Sequence, residues 1–507
     1  MSLFDRCRRV AGARARWRGP VGAAALLAGA GLALPGAALA DASLHTPAEA
    51  QFGYERIELP GDEGLGLVGA SYLLEPLPGL HVGPALYGAA SGRRGGLFVV
   101  GAEVAWRMRL AGPLQLQAGV YAGGGGGGAA PVGGGLMLRP HADLLWDFGG
   151  FRAGLSASQV RFPNGQIDSR QLGLVLAFDT GFEHFVPPAF PGDEPARRYG
   201  VGFDRFNVVA GMYRPASGST GVSGTPLHNR IGYAGARAER IGASGLTAGI
   251  EAAGAASGGA AGYAEVLGTL GIERAFAGER FTLGARAALG MAGGGDIATG
   301  GGLLTKAALY GSLRLAPDAS LGLEIGRARA PQGHFEAGFV ALNWRWELDH
   351  PQREVPATQL AQQEFLLGIE TYRHAARRAG PDRSVQNVTL KLNRFLDESW
   401  YLSGQAHSAY QGDAGGFSVG LVGLGYRTRS NGRWQFGAEL LGGAAGGGGV
   451  ASSGGAIVQP MLYASYAFTP SFALQLGAGR VKSLHGSLNS PVFDLTLGYA
   501  FGVASRR

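Results

Sequence analysis

Cysteine is all but missing from this sequence, and so are long apolar runs. The single cysteine, Cys7, lies in a leader-like opening segment. Without it the chain has no thiol for a zinc-thiolate, iron–sulfur, c-type haem or nucleophilic-cysteine site, and no disulfide. Past residue 40 no stretch approaches the ~18–20 uninterrupted apolar residues of a membrane helix. Helical composition is missing too: 91 glycines in 507 residues work against helices, because each interior glycine costs about 1 kcal/mol relative to alanine. The glycines have no three-residue period, which excludes collagen, and they sit among aliphatic and aromatic residues, which argues against disorder. Strand is what remains.

The opening forty residues read as an address label. Arg6, Arg8, Arg9, Arg14, Arg16 and Arg18 form a basic region, Val21 to Leu34 an apolar one too short to span a membrane, and Ala38-Leu39-Ala40 a small-residue cleavage site before Asp41. This layout predicts a cleaved signal peptide over residues 1–40, and hence export. Six arginines against Asp5 carry five of the formal +7, leaving +2 for the rest. That balance excludes nucleic acid as a partner.

What is abundant is repetition. Gly95-Gly-Leu-Phe-Val-Val-Gly-Ala-Glu-Val-Ala-Trp106, Leu114 to Tyr121, the glycine run Gly123 to Gly128 and Gly133-Gly-Gly-Leu-Met137 return twice, with runs at Gly293 to Gly295 and Gly446 to Gly449. The period is roughly 150–165 residues, so each copy is domain-sized. Within copies, Leu114, Leu116, Ala118 and Val120 alternate with Gln115, Gln117, Gly119 and Tyr121, and Val100, Val104 and Trp106 with Gly101, Glu103 and Arg107. Period-two patterning over roughly ten residues suits a tilted strand crossing a bilayer, apolar face to lipid and polar face inward. Aromatics near segment ends (Trp106, Tyr121, Trp146, Phe148, Phe162, Trp346, Trp434, Tyr466, Phe468) suit an interfacial girdle. Closure would remove the adhesive edges of so large a sheet.

About eight segments per copy, roughly 24 in all, alternate short turns with longer glycine-rich loops. Short turns such as Asp147 to Gly150, Ala111 to Pro113, Ala316 to Asp318, Asn431-Gly432 and Thr469-Pro470 read as periplasmic; the longer loops read as extracellular. Each copy closes on an aromatic, Phe178, Trp346 or Phe501. In these features the chain resembles the Gram-negative outer-membrane β-barrel class. The resemblance implies an outer-membrane location, lipids and lipopolysaccharide as surroundings, and barrel-assembly machinery and periplasmic chaperones as partners during insertion.

The expected fold is all-β: transmembrane antiparallel up-and-down barrels, three in tandem with eight strands each, the alternative being one barrel of about 24 strands. The boundaries read as 41–181, 202–349 and 364–507, separated by a Pro-rich linker over 182–201 and a second linker over 350–363. Proline cannot continue a ladder there, and one wide barrel would not need long connections on its tight-turn side. Glu103, Arg107 and Arg109, then Arg139, His141 and Asp143, then Lys306, Tyr310 and Arg314, read as lumen residues that would pair with one another rather than line a channel.

The expected role is non-enzymatic: membrane-structural or surface-binding. A passive channel or export pore is the alternative, and a lipid-modifying esterase the second. No cofactor or metal site is expected; His334 and His485, one per copy, make no ligand set. Gly416-Phe-Ser-Val-Gly420 and Gly64-Leu-Gly-Leu-Val-Gly69 lack the strand-to-helix turns that their motifs need. Each copy resembles a lipid A deacylase in strand number but lacks that family's His-x-Ser-Asn stretch, leaving only Ser483 with His485 to test. One recurrence stands out. Cations precede the turn between the last two strands of each copy: Arg161; Arg327 and Arg329; Arg480 and Lys482. They are expected to meet lipopolysaccharide phosphates. Arg93, Arg94, Arg377 and Arg378, with Arg373 and Arg383, add cations in loops on the same side.

Overall fold

The computed structural model describes residues 44–187, 199–242, 244–349, 359–429 and 432–505. The segment 1–40 expected to be a signal peptide, most of both expected linkers and Asn431 lie outside the described residues. Twenty-four strands close into three separate antiparallel barrels of eight, each strand hydrogen-bonded to its chain neighbours and the last to the first. The one-barrel alternative is thereby overturned: β1 pairs with β8, β9 with β16 and β17 with β24.

Barrel one comprises β1 (Leu44–Leu59), β2 (Glu63–Leu77), β3 (Leu80–Ser91), β4 (Phe98–Ala111), β5 (Leu114–Gly126), β6 (Leu136–Asp147), β7 (Phe151–Arg161) and β8 (Asp168–His184). Barrel two comprises β9 (Arg205–Pro215), β10 (Ile231–Ile241), β11 (Leu246–Ala255), β12 (Ala264–Phe276), β13 (Phe281–Gly293), β14 (Leu303–Ala316), β15 (Ala319–Arg329) and β16 (Glu336–Glu347). Barrel three comprises β17 (Gln359–Ala375), β18 (Arg383–Phe395), β19 (Trp400–Gln411), β20 (Ser418–Arg427), β21 (Trp434–Gly446), β22 (Ala456–Ala467), β23 (Phe472–Ser483) and β24 (Asn489–Ser505). The strands overrun the sequence boundaries: β8 continues past 181, and β17 begins inside 350–363, after the last proline of that linker.

The alternation holds along the strands. Leu116, Ala118 and Val120 of β5 face outward while Gln115, Gln117 and Tyr121 are buried. Large aliphatics stand in the open on all three barrels, among them Leu172 (72% exposed), Leu270 (68%) and Leu462 (68%). Most exposed aromatics gather at the short-turn end: Trp106, Trp146, Phe148, Phe276, Phe281, Trp400, Trp434, Phe436 and Phe468. Two residues expected in that girdle are elsewhere. Tyr121 points into the lumen against Tyr87 (ring centroids 4.7 Å), and Phe162 is buried beneath its loop.

Inward glycines make room for inward tyrosines. Gly69 lies opposite Tyr87, Gly211 opposite Tyr233, Gly284 opposite Tyr310, Gly425 opposite Tyr401 and Gly437 opposite Tyr463. In each pair the ring occupies the space that a glycine side chain would need. The phenol thus packs flat on the barrel wall.

The glycine runs join barrels. The last residue of every fifth strand packs on the loop between the third and fourth strands of another barrel. Gly126 meets Gly416, Gly446 meets Gly262, and Gly293 meets Gly96; a Cβ at the first of each pair would lie 2.7, 2.1 and 2.4 Å from the backbone nitrogen of the second. Between barrels, Gly416 N–H donates to the Gly125 carbonyl (3.2 Å), Gly415 N–H to Gly133 (3.1 Å) and Gly95 N–H to Gly300 (2.9 Å). Barrel one thus docks on three, three on two and two on one. The interface is heterologous and closes after three steps. At the short-turn end, Phe185 and Gly502 exchange backbone hydrogen bonds of 3.0 and 2.8 Å between barrels one and three, beside Phe182, Tyr199 and Phe501.

Gly126→Val should therefore open the contact between barrels one and three while each cylinder stays closed. The expected result is faster proteolysis in the loop 412–417 with an unchanged far-ultraviolet strand signal. Gly404→Val, where a Cβ meets nothing within 4 Å, is the comparison; equal cleavage in both variants would refute the junction.

Candidate functional site: lumens and loop-end rim

Two places carry charge in quantity: the lumens and the outward rim at the loop end. In barrel one, Arg107 donates to both Glu49 oxygens (2.8 and 2.5 Å) and to Gln117, while Arg152 donates to Glu49 (3.0 Å) and pairs with Asp179 (2.6 Å). Arg139 grips Glu55 (2.9 and 3.1 Å), and His141 lies between Asp143 (2.9 Å) and Glu103 (3.3 Å). Arg109, expected in this lumen, is exposed where β4 runs out beyond the barrel wall.

Barrel two is the most heavily charged. Arg237 bridges Glu251 (2.6 Å) and Glu324 (2.9 Å), Arg286 bridges Glu324 (2.7 Å) and Glu239 (2.9 Å), and Lys306 bridges Glu251 and Glu265 (both 2.9 Å). Arg205 joins Glu347 (3.0 Å) to Glu273 (2.8 Å) at the short-turn end. Tyr213 and Tyr263 donate to Glu265. Arg314, expected among them, instead pairs with Glu279 at the rim of the short-turn end. The void among Glu251, Arg286, Lys306 and Glu324 is about 10 Å³, room for a single water. Barrel three holds Lys391 against Asp494, with Glu439 at 3.9 Å, and His407 against Glu370, which also accepts from Gln459 (2.9 Å). Arg139, Lys306 and Gln459 occupy equivalent positions on β6, β14 and β22.

The loop-end rim divides the expected cations into two kinds. Arg94 and Arg377 tie their loops to neighbouring loops of the same barrel. Arg94 holds Glu63 (3.0 and 2.6 Å) and the Ala129 carbonyl (2.9 Å), and Arg377 donates to the carbonyls of Gly412 and Gly448. Burial, the largest influence, pulls Arg377 below the ordinary arginine range, with Asp413 pulling the other way. Arg93 and Arg378 are exposed on those loops, and Arg383 pairs with Asp413. By contrast Arg161, Arg327, Arg329, Arg480 and Lys482 stand outward at the ends of β7, β15 and β23, just above the apolar belt. Arg161 has Asp168 at 3.9 Å, and Arg480 donates to Asn489 (2.6 Å). The reading by single strands missed Arg214 on β9, exposed on the same face; it becomes a neighbour of Arg327 only through the barrel's closing seam.

The candidate catalytic pair does not assemble. Ser483 is buried and its Oγ accepts the Gly486 N–H (2.9 Å), a turn bond, while His485 is exposed. Ser418 of the Gly-x-Ser-x-Gly stretch lies beside Ser408 (2.8 Å) at the start of β20. Among the described residues no group of three metal-ligating side chains occurs.

No protein-family model matches the chain, and no curated protein matches it. Several solved structures are similar over most of their length. They include the siderophore receptor PirA from Acinetobacter baumannii (10% identity, TM-score 0.27, covering 90% of this chain and 80% of that one). The copper transporter OprC gives 11% identity and TM-score 0.29, covering 91% and 81%. OpdQ from Pseudomonas aeruginosa gives 8% and 0.20, covering 91% and 98%. Likeness of this size gives this chain neither a ligand nor an activity.

The lumen pairs differ sharply in weight from rim pairs. Lys306→Met leaves Glu265 without its cation in a dry interior and should cost about 3–5 kcal/mol of stability. Arg314→Met removes an exposed pair worth about 0–1 kcal/mol. Urea unfolding in detergent micelles measures both; equal losses would mean that the lumen is wet.

Proposed function

We propose that this chain is an integral outer-membrane protein of a Gram-negative bacterium with a non-enzymatic, membrane-structural or surface-binding role. Its three barrels are plugged by their own side chains, and its loop end faces the lipopolysaccharide leaflet. One observation carries this reading: closed cylinders that are apolar outside and filled inside by paired charges. Soluble proteins rarely expose apolar patches beyond a few hundred Å², whereas a closed barrel satisfies its whole ladder in lipid. Orientation follows from the two ends. Tight turns and aromatics mark one, and longer loops with outward arginines the other; periplasmic turns are the short ones in this class of membrane barrel.

Against a channel role stands the filling of these lumens, where every named cation is held by carboxylates. The full chain reconstituted into planar bilayers should insert and carry no steady current. Sustained single-channel conductance from the wild-type protein would overturn the plugged reading, and recovery from the soluble periplasmic fraction would overturn the membrane reading.

A further inference from the structure

We infer that barrels two and three each carry an outward notch for a phosphate of an anionic outer-leaflet glycolipid, and that barrel one does not. This rests on the orientation proposed above and concerns strands that no neighbouring barrel covers at the loop end. The inter-barrel contacts there fall on the second to sixth strands, whereas the notches lie on the seventh, the eighth and the first.

In barrel two, Arg327 on β15 is the register partner of Gly338 on β16, and Gly338 is the partner of Arg214 on β9. Adjacent strands are about 4.8 Å apart, so the two arginines are rooted ~10 Å apart on one face with only glycine between them. Both are exposed, and among the described residues neither has a carboxylate within ion-pairing distance. Two like charges so placed, over a gap and with long flexible stems, suit an anion that both can grip from the sides. Directly beneath, one step along each strand pair, Ile325, Val340 and Met212 are exposed in a row. A phosphate above and acyl chain below would satisfy both levels.

Barrel three repeats the arrangement with different residues. Arg480 on β23 is the partner of Pro491 on β24. On β17 the ladder with β24 ends at Tyr372 and Val492, and the exposed Arg373 follows directly, where the strand bulges beside that proline. Both arginines are exposed, and Phe493, 49% exposed, lies beneath the proline. Proline stands outward from the wall by no more than its ring, so the gap is again shallow. Two residues higher on the same strands, Arg329 is opposite the carboxylate of Glu336, as Arg161 is opposite Asp168 in barrel one, and Lys482 is opposite Asn489, so only barrel three carries an added cation above its notch.

Barrel one breaks the pattern at the same row. Gln159 replaces the seventh-strand arginine, and its partner on β8 is Arg170, where the others have Gly338 or Pro491. On the far side the register reaches Glu58, whose N–H donates to Ser169 (2.9 Å). The lone cation fills the gap and has a carboxylate beside it. This edge neutralises itself.

The test uses the full chain purified in detergent. It is incubated separately with bis-phosphorylated lipid A, with the dephosphorylated lipid and with inorganic phosphate, and retained lipids are counted by native mass spectrometry. Two phosphorylated lipids should be retained. Arg214→Gln with Arg327→Gln should remove one, Arg373→Gln with Arg480→Gln the other, and the four together both, each loss corresponding to at least about tenfold weaker binding. Arg161→Gln with Arg170→Gln should still retain two. Equal retention of the dephosphorylated lipid, displacement by inorganic phosphate at matched concentration, or equal loss from the barrel-one substitutions would each overturn the notches. A chain silent in bilayers that retains no lipid refutes this inference alone. A conducting chain that retains two lipids refutes only the plugged reading.

Discussion

An eight-strand cylinder has an interior just wide enough for side chains, and this limit governs everything else in the molecule. Each of the three lumens must be filled, and a strand's inward positions are the only source of filling. Large polar groups suit the job, because a chain that alternates strictly for a bilayer cannot also make its inner face apolar without losing the distinction between its sides. Once charged, the filling must be self-neutralising, since an unpaired ion in such a space is costly. Hence Glu251 serves both Arg237 and Lys306, and Glu324 both Arg237 and Arg286. Space is conserved as well as charge, with Tyr233 lying over Gly211 and Tyr463 over Gly437.

Closure also leaves each cylinder complete on its own, so a second kind of contact is needed to hold three together. Lipid-facing aliphatics gain nothing from leaving lipid for one another, as in helix association within membranes, where small residues and close backbone approach do the work. Here the equivalent lies at the loop end. The ends of the fifth strands, Gly126, Gly293 and Gly446, come close enough to another barrel's backbone that a Cβ would collide. Because fifth-strand ends always meet third-to-fourth loops, one repeated sequence serves all three junctions and the ring closes. A tandem chain keeps the three partners at a fixed ratio without any assembly step.

Much of this is legible along a single strand. Alternation identifies the inner faces of β5 and β6, and the threefold repeat with its proline breaks marks three cylinders. Other features belong to pairs of distant segments. Nothing in Gly123 to Gly128 distinguishes a loose surface loop from a backbone seat for Gly416, since both want the same residue. Tyr121 at a strand end resembles a girdle aromatic until parity is counted from Gln115 and Gln117, which places it inside. Arg94 and Arg377 look like free loop cations because carbonyl acceptors leave no trace in sequence. Arg214 is 113 residues from Arg327 in the chain, and only the seam between β16 and β9 makes them neighbours.

The three copies also show which differences the fold demands. Arg139, Lys306 and Gln459 differ at one lumen position, and each lumen changes its partners to match: Glu55 for the arginine, Glu251 and Glu265 for the lysine, Tyr372 and Glu370 for the amide. Such changes follow from packing. At the outward loop-end row, by contrast, neither the ladder nor the lumen nor the junction touches the side chains, and of the four notch arginines Arg480 alone has a side-chain partner among the described residues, Asn489. Barrel one nevertheless carries a balanced set there, while two and three carry paired arginines around a glycine or a proline. Uncompensated like charge on an exposed strand end costs stability and gives the fold nothing in return. A feature that the scaffold does not need, present twice in different residues and absent once, is the pattern expected of a contact with what surrounds the protein.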